Sequence, residues 1–157
     1  MTEHSAAHST FVVERTLNAT PTRVFAAFST EEGKQRWFGG GGDWAPLERT
    51  FDFRVGGSEI LAGKWPNGTI TRFDARYFDI VENERLVYTY DMHMNGNKIS
   101  VSLATIELKS EGSKTHLKLT EQGVYLDGYD DAGQREHGTN ILMDRLVAAF
   151  SEAAVKA

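Results

Sequence analysis

Cysteine is absent from the 157 residues, which excludes a disulfide framework, a thiolate metal site and a cysteine nucleophile. No apolar run approaches the ~20 residues needed to span a bilayer. The first residues, Met1 to Ser9, are polar and lack an apolar core of the kind a signal peptide needs, so a cytoplasmic location is the default expectation. The 17 Lys and Arg are scattered singly among 22 Asp and Glu, for a net charge of −5, so no basic stripe exists and nucleic acid is not an expected partner. The acidic balance serves solubility. Five His residues are present, but none falls in a Ser-His-Asp frame, and neither Gly-x-Ser-x-Gly nor His-Glu-x-x-His occurs. No metal and no cofactor is therefore expected. Gly39 to Gly42 could cradle a phosphate only if a helix followed; Asp43-Trp44-Ala45-Pro46 follows instead, leading into a strand. The glycine run reads as a flexible loop beside aromatic residues, placed to gate a pocket mouth.

What is there is a meander. Between Glu48 and Tyr125, turn signals at Gly56-Gly57, Pro66-Asn67-Gly68, Glu82-Asn83-Glu84, Asn95-Gly96 and Glu111-Gly112-Ser113 separate runs rich in Val, Ile, Thr, Phe and Tyr. These predict strands at Glu48 to Val55, Ser58 to Trp65, Thr69 to Val81, Arg85 to Met94, Lys98 to Lys109 and Lys114 to Val124, each pairing with its predecessor. In the strand from Thr69 the apolar set changes face near Phe73 to Phe78, which predicts a bulge. Ahead of the meander, Thr10 to Leu17 alternates as a first strand. Thr20-Pro21 reads as a helix cap, and Ser29 with Glu32 has capping-box spacing for a second short helix carrying Trp37. A longer helix closes the chain, starting between Asp131 and Thr139, with Ile141, Leu142, Leu146, Ala149, Phe150 and Ala153 on one broad face. At this length one domain is expected, residues 10–157, preceded by a flexible tail at 1–9 carrying the solvated His4 and His8.

A curved sheet with a helix along it can enclose a pocket. Its predicted wall is apolar and aromatic: Trp37, Trp44, Phe53, Trp65, Phe73, Tyr88, Tyr90, Leu103, Leu119, Leu142 and Leu146. Glu121 continues the face of Leu117 and Leu119, so alternation aims its carboxylate inward unless the strand twists to the rim first. A buried carboxylate needs a cationic partner or takes up a proton; Arg54, Arg72, Arg76 and Arg145 are the candidate partners. His93 and His116 read as solvated or satisfied strand residues.

The order of elements resembles the helix-grip fold of the START and Bet v 1-like superfamily, an α+β fold in which an antiparallel sheet wraps a long C-terminal helix, with two short helices after the first strand. Local motifs narrow the likeness. Phe53-Arg54-Val55-Gly56-Gly57 resembles the Arg-Val-Gly-Gly turn of the heat-shock protein 90 ATPase activator homologue family. Gln35-Arg36-Trp37-Phe38 is similar to that family's tryptophan after the second short helix. Arg76 to Tyr88 is similar to its strand-turn-strand segment, with Asn83 where proline is common, and Thr120-Glu121-Gln122-Gly123 and Gly138 to Leu146 resemble its last strand and final helix. The likeness covers about residues 10–155 and departs at Gly39 to Gly42, where a tryptophan-proline loop is more usual. It implies a ligand-binding scaffold. The leading reading is a non-enzymatic binder of a small hydrophobic or amphipathic molecule in a stress setting. An aromatase/cyclase-type enzyme using the same cavity, a chaperone-interacting module and a homodimer are carried as alternatives. The fold by itself assigns none of them.

Overall fold

A computed structural model of the chain describes residues 3–151. β1 (Ala6–Leu17) leads into α1 (Pro21–Ser29) and α2 (Glu31–Gln35). Six strands follow, β2 (Ala45–Phe51), β3 (Ser58–Lys64), β4 (Ile70–Val81), β5 (Arg85–Met94), β6 (Asn97–Glu111) and β7 (Lys114–Leu126), and then α3 (Ala132–Ala149). The strands make one sheet in the order β1-β7-β6-β5-β4-β3-β2, antiparallel at every junction. This is the helix-grip arrangement the element order predicted. No helix among the described residues is long and apolar enough to cross a membrane.

Local chemistry accounts for most of the boundaries. Thr20 caps α1 in an extended conformation with Pro21 at the first turn, where a missing N–H costs nothing. For α2 the cap is Thr30, one residue later than the Ser-Glu spacing suggested: its hydroxyl accepts from the Gly33 amide at 3.0 Å. Because α2 ends at Gln35, Trp37 follows the helix instead of lying on it. β2 starts at Ala45 and stops at Phe51, since residues 52–57 are taken by a tight turn in which the Gly57 amide donates to the Arg54 carbonyl at 2.8 Å. The expected bulge in β4 is present between Tyr77 and Asp79 and turns Phe78 out to solvent.

The expected tail at 1–9 needs correction. β1 begins at Ala6, and Ala6 to Ser9 pair with Leu126 to Gly123. Ala6, Ala7 and His8 are exposed and Ser9 is half-buried, so their backbone is held by the ladder while their side chains show no apolar alternation to read. Ala153, expected on the face of the final helix, lies outside the described residues, as do Met1 and Thr2.

The core fills the inner face. Phe11, Val13 and Leu17 of β1 and Leu117 and Leu119 of β7 pack with Val24, Phe25 and Phe28 of α1 and with Met143 and Leu146 of α3, each buried side chain contributing about 1.5–3 kcal/mol of transfer free energy. Arg15 of β1 anchors α3 from the side, bonding Asn140 at 2.7 Å and Asp144 at 3.1 Å. The helix thus sits toward the β1 edge of the sheet. The inner face of β3, β4 and β5 is left looking at it across a gap.

Candidate ligand cavity

That gap is a cavity of about 390 Å³. Its sheet wall is made by Phe73, Tyr88, Tyr90 and Met92, its helix wall by Thr139, Leu142 and Met143, and its roof by Trp37, Phe38 and Trp44 from the segment after α2. The aromatic rings form a connected series: Phe38 meets Phe73 edge-on at 4.9 Å, Phe73 lies 4.9 Å from Tyr90, and Tyr90 lies 6.2 Å from Tyr88. The register explains where the space comes from. Tyr88 stands opposite Ala104 and Tyr90 opposite Ser102, so large rings on β5 face small side chains on β6 and volume is left between sheet and helix.

Nine of the twelve residues predicted for the wall come together here. Trp37, Trp44, Trp65 and Phe73 line the cavity, as do Tyr88, Tyr90, Leu119, Glu121 and Leu142. Three do not. Leu103 lies between Ser102 and Ala104 and pairs with Thr89 and Gln122, which places it on the outer face. Leu146, 1% exposed, is used up in the core. Phe53 packs edge-on against Tyr77 at 4.9 Å and Phe25 at 5.8 Å, away from the cavity.

The polar end is built around Glu121, which β7 turns inward opposite Ala104 and Phe11. It is 2% exposed. The Tyr90 hydroxyl donates to its Oε2 at 2.8 Å, and Arg135 Nη1 donates to that hydroxyl at 3.1 Å. Arg135 also donates to Ser100 at 2.7 Å and Ser102 at 3.4 Å, and pairs with Asp130 at 2.9 Å. Its guanidinium lies 5.5 Å from the ring centres of both Tyr90 and Tyr125. Burial pushes the Glu121 carboxyl above the usual range; the Tyr90 hydrogen bond and the Arg135 charge pull it back, and burial wins. The Tyr90 phenol is pushed up by burial and by the neighbouring carboxylate. None of Arg54, Arg72, Arg76 and Arg145 serves as the partner. Arg135 does, through Tyr90. The start left open between Asp131 and Thr139 is the first of these: the Asp131 carboxylate accepts from the Gln134 amide at 2.9 Å, and that cap brings Arg135 to the cavity in the first turn of α3.

A second buried carboxylate belongs to the structure behind the roof. Glu59, 1% exposed, receives the Lys34 ammonium at 3.0 Å, the Tyr77 hydroxyl at 2.6 Å and Arg49 at 2.7 Å. Burial alone would raise its pKa, but Lys34, Tyr77 and Arg49 together hold it below the ordinary value. This cluster fastens α2 to β2, β3 and β4.

The mouth is framed by the glycine loop. Arg145 of α3 donates to the carbonyls of Gly39 at 2.8 Å and Gly40 at 3.5 Å. The Trp44 indole lies flat against two glycine backbones: a Cβ on Gly40 would come 2.2 Å from its Cγ, and one on Gly63 would come 1.9 Å from its Cζ2. Its Nε1 donates to Thr71 at 3.3 Å. Trp65 and Ile141 stand at the rim, 37% and 41% exposed. Elsewhere His116 bonds Glu14 at 3.0 Å, whereas His93 Nδ1 is buried without a partner among the described residues.

Sequence comparison matches residues 18–151 to the family described as Activator of Hsp90 ATPase homolog 1-like protein. An uncharacterized protein of Rhizobium leguminosarum is 43% identical, with 94% of this chain and 97% of that chain covered and a TM-score of 0.89. A protein of Rhizobium loti is 42% identical over 92% of this chain and 98% of its own, with a TM-score of 0.85. DynU16, a protein in the dynemicin biosynthetic locus, shares the fold at 16% identity, 92% of this chain against 48% of that one, with a TM-score of 0.67. No curated protein matches the chain.

Proposed function

The chain belongs to the family of Activator of Hsp90 ATPase homolog 1-like proteins, and on that premise we propose that it binds a small, mainly hydrophobic molecule between the sheet and α3. One observation carries this reading: the space is a 390 Å³ cavity with aromatic walls and a single polar end at Glu121, Tyr90 and Arg135. Drug-sized ligands occupy clefts of roughly 300–1,000 Å³ with such a lining. Packing an interior so loosely without an occupant would forfeit contact energy along the whole wall. The site residues in this reading are Trp37, Phe38, Trp44, Phe73, Tyr88, Tyr90, Leu119, Glu121 and Leu142.

Native mass spectrometry of freshly purified protein tests it. A co-purified small molecule that is released on unfolding, and lost when Leu142→Trp fills the cavity, is the expected result. Protein that carries nothing, and whose melting temperature no apolar dye shifts, would remove the support for binding.

A second reading has its own observation. Glu121 is a carboxyl group whose pKa burial raises, beside a phenol inside an apolar cavity, which is the equipment of a general acid or base. A cyclase-type enzyme acting on an extended carbonyl substrate would use it. The two readings separate on the fate of the bound molecule: a binder returns it unchanged, an enzyme returns it altered.

A further inference from the structure

The free hydrogen-bonding atoms of the cavity say what its ligand must bring. Glu121 Oε2 is engaged by Tyr90, but Oε1 accepts no hydrogen bond among the described residues. The Tyr90 hydroxyl is spent: it donates to Glu121 and accepts from Arg135. Tyr88, one turn of the pleat away on the same wall, has a hydroxyl with no hydrogen-bond partner among the described residues. The polar end therefore offers an open carboxylate oxygen and an open phenol.

The cation at the polar end is committed. Arg135 uses its four terminal N–H bonds on Tyr90, Ser102, Ser100 and Asp130, and the Asp130 carboxylate at 2.9 Å offsets its charge. Arg145 is held at the mouth by the carbonyls of Gly39 and Gly40. A ligand carboxylate reaching the polar end would meet Glu121, with the Arg135 charge there already offset by Asp130, at the cost of desolvation and like-charge repulsion. A donor would meet an unpaired acceptor, and leaving that acceptor unpaired is what costs free energy. The ring faces of Phe73, Tyr88 and Tyr90 suit an aryl body and add attraction for a cation held near them.

We infer that the cavity selects an aryl ligand whose polar end donates hydrogen bonds, a hydroxyl or a protonated amine, to Glu121 Oε1 and the Tyr88 hydroxyl, and that it discriminates against carboxylates with the same body. This deepens the binding reading and rests on it.

The test uses one body with five end groups: naphthalene, naphthol, naphthylmethylamine, naphthoate and methyl naphthyl ketone, titrated calorimetrically into the whole protein at neutral pH. Naphthol and the amine are expected to bind roughly tenfold or more tightly than naphthalene and naphthoate, the worth of one hydrogen bond to a charged group. The hydroxyl and amine arms distinguish a neutral donor from a cation. Glu121→Gln should abolish the advantage of the amine, and Tyr88→Phe should reduce both donors toward naphthalene; the Tyr88 variant keeps the test intact if the Glu121 variant folds poorly. Naphthoate or the ketone binding as tightly as the donors would overturn the inference while leaving the binding reading in place. Failure of all five, naphthalene included, would overturn both.

Discussion

Arg145, on the helix that backs the cavity, donates to the main-chain carbonyl of Gly39 at 2.8 Å, so one side chain joins the wall to the loop across the mouth. Replacing it with methionine keeps the apolar stem and deletes the donors. Arg145→Met is expected to cost about 1 kcal/mol of stability and to speed amide hydrogen exchange across residues 39–44. Entry and exit of an apolar dye should quicken together. Exchange in the loop that matches the parent would show that the latch carries no load.

Trp44 depends on two residues that have no side chain. An alanine Cβ at position 63 would sit 1.9 Å from the indole, and β3 cannot retreat because it is paired on both sides. The ring must leave. Gly63→Ala should therefore destabilise by about 1–3 kcal/mol and red-shift the tryptophan emission. In a Trp44→Phe background the emission change should disappear, since Trp37 and Trp65 are not in that seat.

The two buried glutamates push stability in opposite directions with pH. Glu59 has a folded pKa below its unfolded one, so its contribution is present above the ordinary glutamate range and is lost as pH falls from there through the lower folded value. Glu121 has a folded pKa above its unfolded one, so its contribution is complete at low pH and is lost as pH rises through the folded value. Glu59→Gln strands Lys34 and should cost about 3–5 kcal/mol at neutral pH, with the deficit shrinking in acid. Glu121→Gln should match or exceed the parent at neutral pH and lose that margin in acid. Urea denaturation at a series of pH values reads both curves. Parallel curves for the two variants would contradict the assignment.

At the turn before β3, Arg54 and Gly57 part company. Arg54 pairs with Asp52 at 2.8 Å but is 75% exposed, so Arg54→Ala should leave the melting temperature unchanged. A Cβ on Gly57 would fall 2.1 Å from the Asp52 carbonyl oxygen, and that backbone cannot yield without opening the turn. Gly57→Ala should lower the melting temperature by several degrees, roughly what a cost of 1 kcal/mol or more produces at this size.

What could be read from the sequence was whatever lies within one element. The alternation of β5 and β7, the bulge after Tyr77 and the inward option for Glu121 are all strand-local, and the structure bears out the bulge and the inward turn. What needed a partner strand or a helix start was hidden. On β6 the inner positions are Ser100, Ser102 and Ala104 while Val101 and Leu103 face outward, so a single-strand hydrophobicity reading picks the wrong face. Ser100 and Ser102 are inside because Arg135 needs them, and Arg135 could be placed only once Asp131 was known as the cap. Ala6 to Ser9 pair through backbone alone, which leaves no side-chain trace.

The pairing of β1 with β7 also has a consequence for how the chain assembles. Ala6 meets Leu126 and Leu17 meets Thr115, so the first strand of this sheet waits roughly a hundred residues for its neighbour, the kind of distant closure that slows folding. Meanwhile Phe11, Val13 and Leu17 have no sheet to join, and the growing meander presents the bare edge of β6, an invitation to pair with another chain. A nascent chain halted before Lys114 should be captured by chaperones that hold unpaired apolar strands, read by crosslinking in a translation extract. A circular permutant opened between α2 and β2, in which β1 follows β7 and α3 in the chain, should refold faster than the natural order.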